Sequence, residues 1–193
     1  MSCDLPLLQG GNSGAVPLPC EPVVQRAQAY AVKCLRNAVR ADSREPVMLH
    51  AMRVAEIVGN LGWNADTIAL ALLHDVLEDG DGSIPRIRRL FGRKMAEGVI
   101  ALSKPILGPR AIRRRYYHQV LLCSGENIQA VKLADFLDNV RSRSGTPRGR
   151  RTLRNALDFL ASVRARSGSH RMQRTLDRVE CLLVETQPLR AAA

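Results

Sequence analysis

Aromatic residues are scarce in this chain, with one Trp, three Tyr and three Phe among 193 residues. A single-stranded nucleic-acid platform built on stacked bases needs more of them. No run approaches the ~18 consecutive apolar residues of a membrane-spanning helix, and no stretch alternates apolar and polar residues as a half-buried strand does. Disulfide and zinc frameworks are also lacking. The five cysteines, at positions 3, 20, 34, 123 and 181, show no CxxC spacing, and their odd number argues against a paired framework and for a reducing cytoplasm. Residues 1–21 carry neither a basic start nor a long apolar stretch, and Gly10-Gly11, Pro17 and Pro19 break them up, so they read as a flexible leader.

What remains is an aliphatic, basic, helical chain. Apolar residues make up 46% and charged residues 24%, which suits a single well-packed core. One domain is expected over residues 22–186, followed by a tail at 187–193. Glycines and capping residues divide that domain into helices. They are expected at Val23 to about Arg40, Val47 to Leu61-Gly62, Asn64 or Asp66 to Asp79, Ser83 to Leu90, and Arg93 to Ser103. Four more follow at Pro109 to Cys123, Glu126 to about Arg143, Pro147 to about Arg166, and Ser169 to Glu185. The expected fold is an all-α bundle.

Four ionisable groups sit directly on the end of the third helix's apolar run, in Ala71-Leu72-Leu73-His74-Asp75-Val76-Leu77-Glu78-Asp79. Helical spacing would pair His74 with Glu78 and Asp75 with Asp79 on a face beside the buried Leu70, Leu73 and Leu77. Residues of the same kinds recur in Leu49-His50-Ala51 and in Lys132-Leu133-Ala134-Asp135-Phe136-Leu137-Asp138-Asn139. His50, His74, Asp75 and Asp135 together offer two imidazoles and two carboxylates, a set suited to Mn²⁺, Fe²⁺ or Zn²⁺ rather than Ca²⁺.

This order of motifs resembles the HD-domain metal phosphohydrolases, and within them the RelA/SpoT-type hydrolase domain. The phrases that agree are His50 with Val54-Ala55, Ala71 to Val76 with Glu78-Asp79, Phe91-Gly92, Leu102-Ser103-Lys104, and Val131 to Asp135 with Asn139, spread over about residues 22 to 166. The resemblance implies a compact HD-domain helical bundle. It also implies Mn²⁺-dependent removal of the 3′-pyrophosphate from guanosine tetra- or pentaphosphate, giving GDP or GTP and pyrophosphate. The chain looks like the short, hydrolase-only form, without a synthetase domain.

In that reading His50, His74, Asp75 and Asp135 hold the metal, and Glu78 with Asp79 handles the proton of the attacking water. Asn139 and Arg40 face the nucleotide by analogy with the family, and Lys104 is a phosphate contact on chemical grounds. The Arg113-Arg114-Arg115 run offers further guanidinium groups, although such runs are usually a solvated helix face. The sequence departs from the family pattern around the first helix and at Phe136 and Asp138, which points to an altered substrate wall. His118 and His170 read as surface or structural residues, and Glu45, Asp66 and Asp158 as loop, capping or exposed carboxylates.

The charge balance supports another class of partner. Lys and Arg number 29 against 18 Asp and Glu, a formal charge of +11, concentrated at 86–94, 110–115 and 141–154. Such a field attracts a polyphosphorylated small molecule and equally a nucleic acid. The alternatives to the alarmone hydrolase are therefore an HD phosphohydrolase of another nucleotide and a basic nucleic-acid-binding protein.

Overall fold

A computed structural model describes residues 18–186, so the expected tail at 187–193 and most of the expected leader lie outside the described residues. The described part holds nine helices: α1 (Pro22–Leu35), α2 (Val47–Asn60), α3 (Ala65–Leu73), α4 (Ile84–Phe91), α5 (Arg93–Leu102), α6 (Arg110–Leu122), α7 (Glu126–Ser142), α8 (Pro147–Arg164) and α9 (His170–Glu185). The one piece of β-type pairing among them is an isolated antiparallel bridge between Val39 and Pro46. No described helix is long and apolar enough to cross a membrane.

α3 is the hub. Asn64 caps it by accepting from the Thr67 backbone N–H, and every residue from Thr67 to Leu73 is buried. The run tolerates burial on all sides because α1, α2, α5 and α7 pack around it. Each fully buried Leu in it contributes roughly 1.5–3 kcal/mol relative to an exposed one. α7 is the second central element, packed on α2, α3, α8 and α9. It buries four polar side chains, Gln129, Lys132, Asp135 and Asp138, among its apolar ones. Burial of ionisable groups is tolerated only where each finds a partner.

Two helices stop earlier than their sequence suggests. α1 ends at Leu35 rather than near Arg40, because Ala38 and Arg40 pair with the start of α2. The Val47 N–H donates to the Ala38 carbonyl at 3.0 Å, and the Arg40 N–H to the Glu45 carbonyl at 2.8 Å. α3 ends at Leu73 rather than Asp79, and residues 74–79 continue as tight turns. Their cause lies in Gly80 and Gly82. A Cβ on Gly80 would come within 2.7 Å of the Cys34 carbonyl oxygen, and one on Gly82 within 2.5 Å of the Val76 carbonyl oxygen. The Asp81 and Gly82 N–H groups donate to those same two carbonyls. This tuck against the end of α1 pulls the chain off the helical path six residues before the first glycine.

Candidate metal centre and its cavity

His50 lies in the first turn of α2, His74 just past the end of α3, and Asp135 midway along α7. The packing of those three helices brings one ligand-type atom from each within 4.8 Å of the others. The rings of His50 and His74 meet edge to face with centroids 5.2 Å apart. His50 Nε2 lies 3.2 Å from Asp135 Oδ1 and 3.6 Å from Asp75 Oδ2, and His74 Nε2 lies 3.2 Å from the same Asp75 oxygen. All four residues expected to bind metal are thus brought together. Because α3 has ended, His74 and Asp75 reach the site from a turn rather than from a regular helix face.

Each imidazole is fixed from behind. The Nδ1–H of His74 donates to the Ala71 carbonyl at 2.7 Å, and the Nδ1–H of His50 to Asp138 Oδ2 at 2.6 Å. Both arrangements turn Nε2 to the shared centre, where it would offer its lone pair to a bound cation in exchange for any proton it carries. His74 Nε2 is fully buried and makes no hydrogen bond there. A buried nitrogen without a partner, facing carboxylates and a second imidazole, fits a cation-binding position. The local field agrees. Burial alone would push His50 down, but Asp135 and Asp138 outweigh it and raise its pKa to about 9. Asp75 is driven to about 2, since the neighbouring His74 overcomes the upward pull of burial. The cluster favours positive charge at its centre.

Asp138 is the residue whose role the sequence concealed. It is 3% exposed and absent from the cavity wall, so the expectation that it alters substrate contacts is corrected. Its carboxylate orients His50 and also accepts from Arg53 Nε at 2.6 Å and Arg40 at 3.4 Å. Arg53 in turn grips Glu45 with two bonds of 2.7 and 2.8 Å, which makes Glu45 a structural anchor rather than a simple loop carboxylate. The spacing of Asp138, three residues beyond Asp135 and hence on a neighbouring face of the same helix, was the available signal.

Lys132 was also missed as a site residue. Its ammonium donates to Asp135 Oδ2 at 2.6 Å and lies over the Phe136 ring at 4.8 Å and the Tyr117 ring at 5.4 Å. Burial would lower its pKa, yet Asp135 holds it raised. This bond occupies Oδ2, while Oδ1 faces His50. The Asn139 side-chain amide donates to Asp135 Oδ1 and to its backbone carbonyl, and accepts from Arg40 at 2.5 Å.

A cavity of about 400 Å³ opens over the cluster and is lined by all the expected site residues: Arg40, His50, His74, Asp75, Glu78, Asp79, Lys104, Asp135 and Asn139. Its volume suits a nucleotide-sized ligand. Glu78 accepts from the Lys104 backbone N–H at 2.6 Å and from its ammonium at 2.8 Å. Asp79 has a raised pKa, from partial burial and then from the charges of Asp75 and Glu78. Phe136 also lines the cavity, as do Arg143, Arg148, Thr152 and Asn155. The Arg113–Arg115 run does not. Arg113 donates to the Pro105 and Ile106 carbonyls, each at 3.0 Å, and Arg114 to Asn155 at 2.5 Å. His118 packs edge-on against Phe159, as a structural residue does.

The family model described as HD domain matches residues 27–169. A GTP pyrophosphokinase rsh of Brucella melitensis is 34% identical over 128 residues, covering 63% of this chain and 17% of the relative. A guanosine-3′,5′-bis(diphosphate) 3′-pyrophosphohydrolase of Aquifex aeolicus is 33% identical over 124 residues, covering 62% and 17%. The chain therefore spans about a sixth of the length of these curated relatives. Among solved structures, one described as a metazoan ortholog of SpoT that hydrolyzes ppGpp superposes with a TM-score of 0.68 at 22% identity, covering 85% of this chain and 96% of that one. The protein lmo0812 of Listeria monocytogenes superposes with a TM-score of 0.60 at 19% identity, covering 72% and 96%. With the helical architecture, the converging His50, His74 and Asp135, and a family match over most of its length, the chain belongs to the HD-domain family.

Proposed function

We propose that the chain removes the 3′-pyrophosphate of guanosine tetra- or pentaphosphate by metal-assisted hydrolysis, yielding GDP or GTP. The observation that carries this reading is the convergence of two backed imidazoles and Asp135 on one face of a nucleotide-sized cavity whose other walls supply Lys104, Arg143 and Arg148. The name of the Aquifex relative supports the choice of nucleotide, and that of the Brucella relative a guanine nucleotide.

His50, His74, Asp75 and Asp135 would hold a divalent ion; the donors suit Mn²⁺, Fe²⁺ or Zn²⁺, and the resemblance to the RelA/SpoT-type hydrolases implies Mn²⁺. Such an ion supplies Lewis-acid polarisation of a phosphoryl oxygen and acidifies water for attack. Asp138 and the Ala71 carbonyl keep both Nε2 atoms pointed at the centre. Lys132 holds one oxygen of Asp135, and the other, which accepts from Asn139, would offer its second lone pair to the ion. Glu78 accepts the proton of the attacking water, with Lys104 fixing the carboxylate until phosphate draws the ammonium away. Asp79, beside it, can share that role or orient the water; partial burial and the charges of Asp75 and Glu78 raise its pKa. Arg40 and Asn139 brace Asp135 and present polar atoms to the sugar or phosphate.

The proposed compartment is the cytoplasm, in keeping with the free state of the four described cysteines. Product analysis tests the reading. With Mn²⁺ present, guanosine tetraphosphate should give GDP and pyrophosphate, while GTP and ATP remain intact. Release of phosphate or pyrophosphate from GTP or ATP in preference to the tetraphosphate would assign the site to another nucleotide.

A further inference from the structure

On the wall of the same cavity, the loop between α1 and α2 places Asp42 against the junction of α7 and α8. One oxygen, Oδ2, lies 2.5 Å from Arg143 Nε and 3.8 Å from an Arg148 guanidinium nitrogen, and the other, Oδ1, lies 3.7 Å from Arg40 Nε. Arg40 has a second carboxylate partner in Asp138. Among the described residues, Arg143 and Arg148 have no carboxylate partner except Asp42, so two guanidinium groups share one negative charge. All four residues line the same cavity as the metal cluster.

Both arginines stand on a fixed frame. Arg143 caps the C-terminus of α7, and Arg148 lies in the first turn of α8, whose N-cap Thr146 accepts from the Gly149 N–H at 2.9 Å. A Cβ on Gly149 would come within 2.1 Å of the Arg143 carbonyl oxygen, so the junction is packed backbone to backbone. The N-terminus of α8 adds a further preference for anions. Asp42 itself sits in a loop closed by the Arg40 to Glu45 and Arg44 to Arg40 backbone bonds. Rotation of its side chain alone would free the two guanidinium groups.

We propose that Arg143 and Arg148 form a subsite for the 5′-polyphosphate of the nucleotide, and that Asp42 occupies this subsite as an internal competing anion which the substrate displaces. This rests on the nucleotide reading above and extends it to the end of the substrate remote from the reacting bond. A phosphate group carries more charge than one carboxylate and matches guanidinium donors bidentately, so it is the better partner for two arginines. Asp42 then sets the affinity and excludes nucleosides that lack the 5′-phosphates from any gain there.

The test uses metal-stripped protein in a chelating buffer, titrated calorimetrically with GDP and, as control, guanosine. In Asp42→Asn, GDP should bind about two- to fivefold more tightly with guanosine unchanged, the scale of a partly exposed ion pair. In Arg148→Gln, whose side chain is more than half exposed and whose loss spares the core, GDP should weaken toward guanosine. GDP affinity that is unchanged or lower in Asp42→Asn at an unchanged melting temperature would make Asp42 a mere strut and overturn the proposal. So would GDP binding no tighter than guanosine binding in the wild type. Because no turnover is read, failure of the hydrolase reading would show separately, as absence of pyrophosphate release from guanosine tetraphosphate by wild-type protein with metal.

Discussion

Replacing Asp138 with Asn should weaken metal binding without touching a ligand. The carboxylate holds His50 through a 2.6 Å bond to Nδ1, which fixes both the ring plane and the tautomer. An amide of the same shape can still accept from Nδ1–H, but it lacks the charge that makes the imidazole more basic. Changes to the partner behind a ligating histidine cost about 10–100-fold in metal affinity, or ~1.4–2.8 kcal/mol. The same substitution leaves Arg53 and Arg40 without one of their carboxylates. Loss of such a charged partner costs roughly 1–3 kcal/mol of stability, which corresponds to a fall in Tm of about 2–12 °C for a chain of this size. Calorimetric titration of the stripped protein with Mn²⁺, well below the melting range, separates the two effects. An Asp138→Asn protein that stays folded and binds Mn²⁺ as tightly as wild type would refute the role given to Asp138.

Glu78→Gln should retain Mn²⁺ and lower kcat by about 10²–10⁴-fold, the range for removal of a general base; near-full turnover would remove Glu78 from that role. Leu73→Ala, at the fully buried end of α3 beside His74, should cost about 2–5 kcal/mol in denaturant unfolding, and a loss below 1 kcal/mol would mean that the hub is not close-packed there. Arg53 holds the pKa of Glu45 below its ordinary value of 4.5. A lowered folded-state pKa contributes stability above that ordinary value and loses it as pH falls through the folded one. Glu45→Gln should therefore show a shallower loss of Tm than wild type between pH 5 and pH 3, and parallel curves would contradict the pairing.

The helices were legible because their punctuation is chemical. Asn64 and Gly62 mark ends that depend on a side-chain cap or a positive φ, and the structure places the ends there. The end of α3 was not legible, since it depends on Gly80 and Gly82 packing on carbonyls of Cys34 and Val76, contacts that no local pattern announces. The residues that converge on the cluster could be read from residue type, because few side chains bind a divalent ion and they stand in distinctive phrases. Asp138 was visible but misassigned. Helical spacing puts it near Asp135, yet only the packing of α2 on α7 shows that it faces the back of His50. The Asp42–Arg143 pair joins residues 101 apart, and the sequence offered only a general excess of arginine in that region.

Pyrophosphate release from guanosine tetraphosphate tests the central claim most directly, measured with Mn²⁺, with a chelator, and with Asp135→Ala in the presence of Mn²⁺. The account predicts turnover in the first case alone. Equal release by Asp135→Ala, or by wild type under chelation, would contradict a metal-assisted reaction centred on His50, His74 and Asp135.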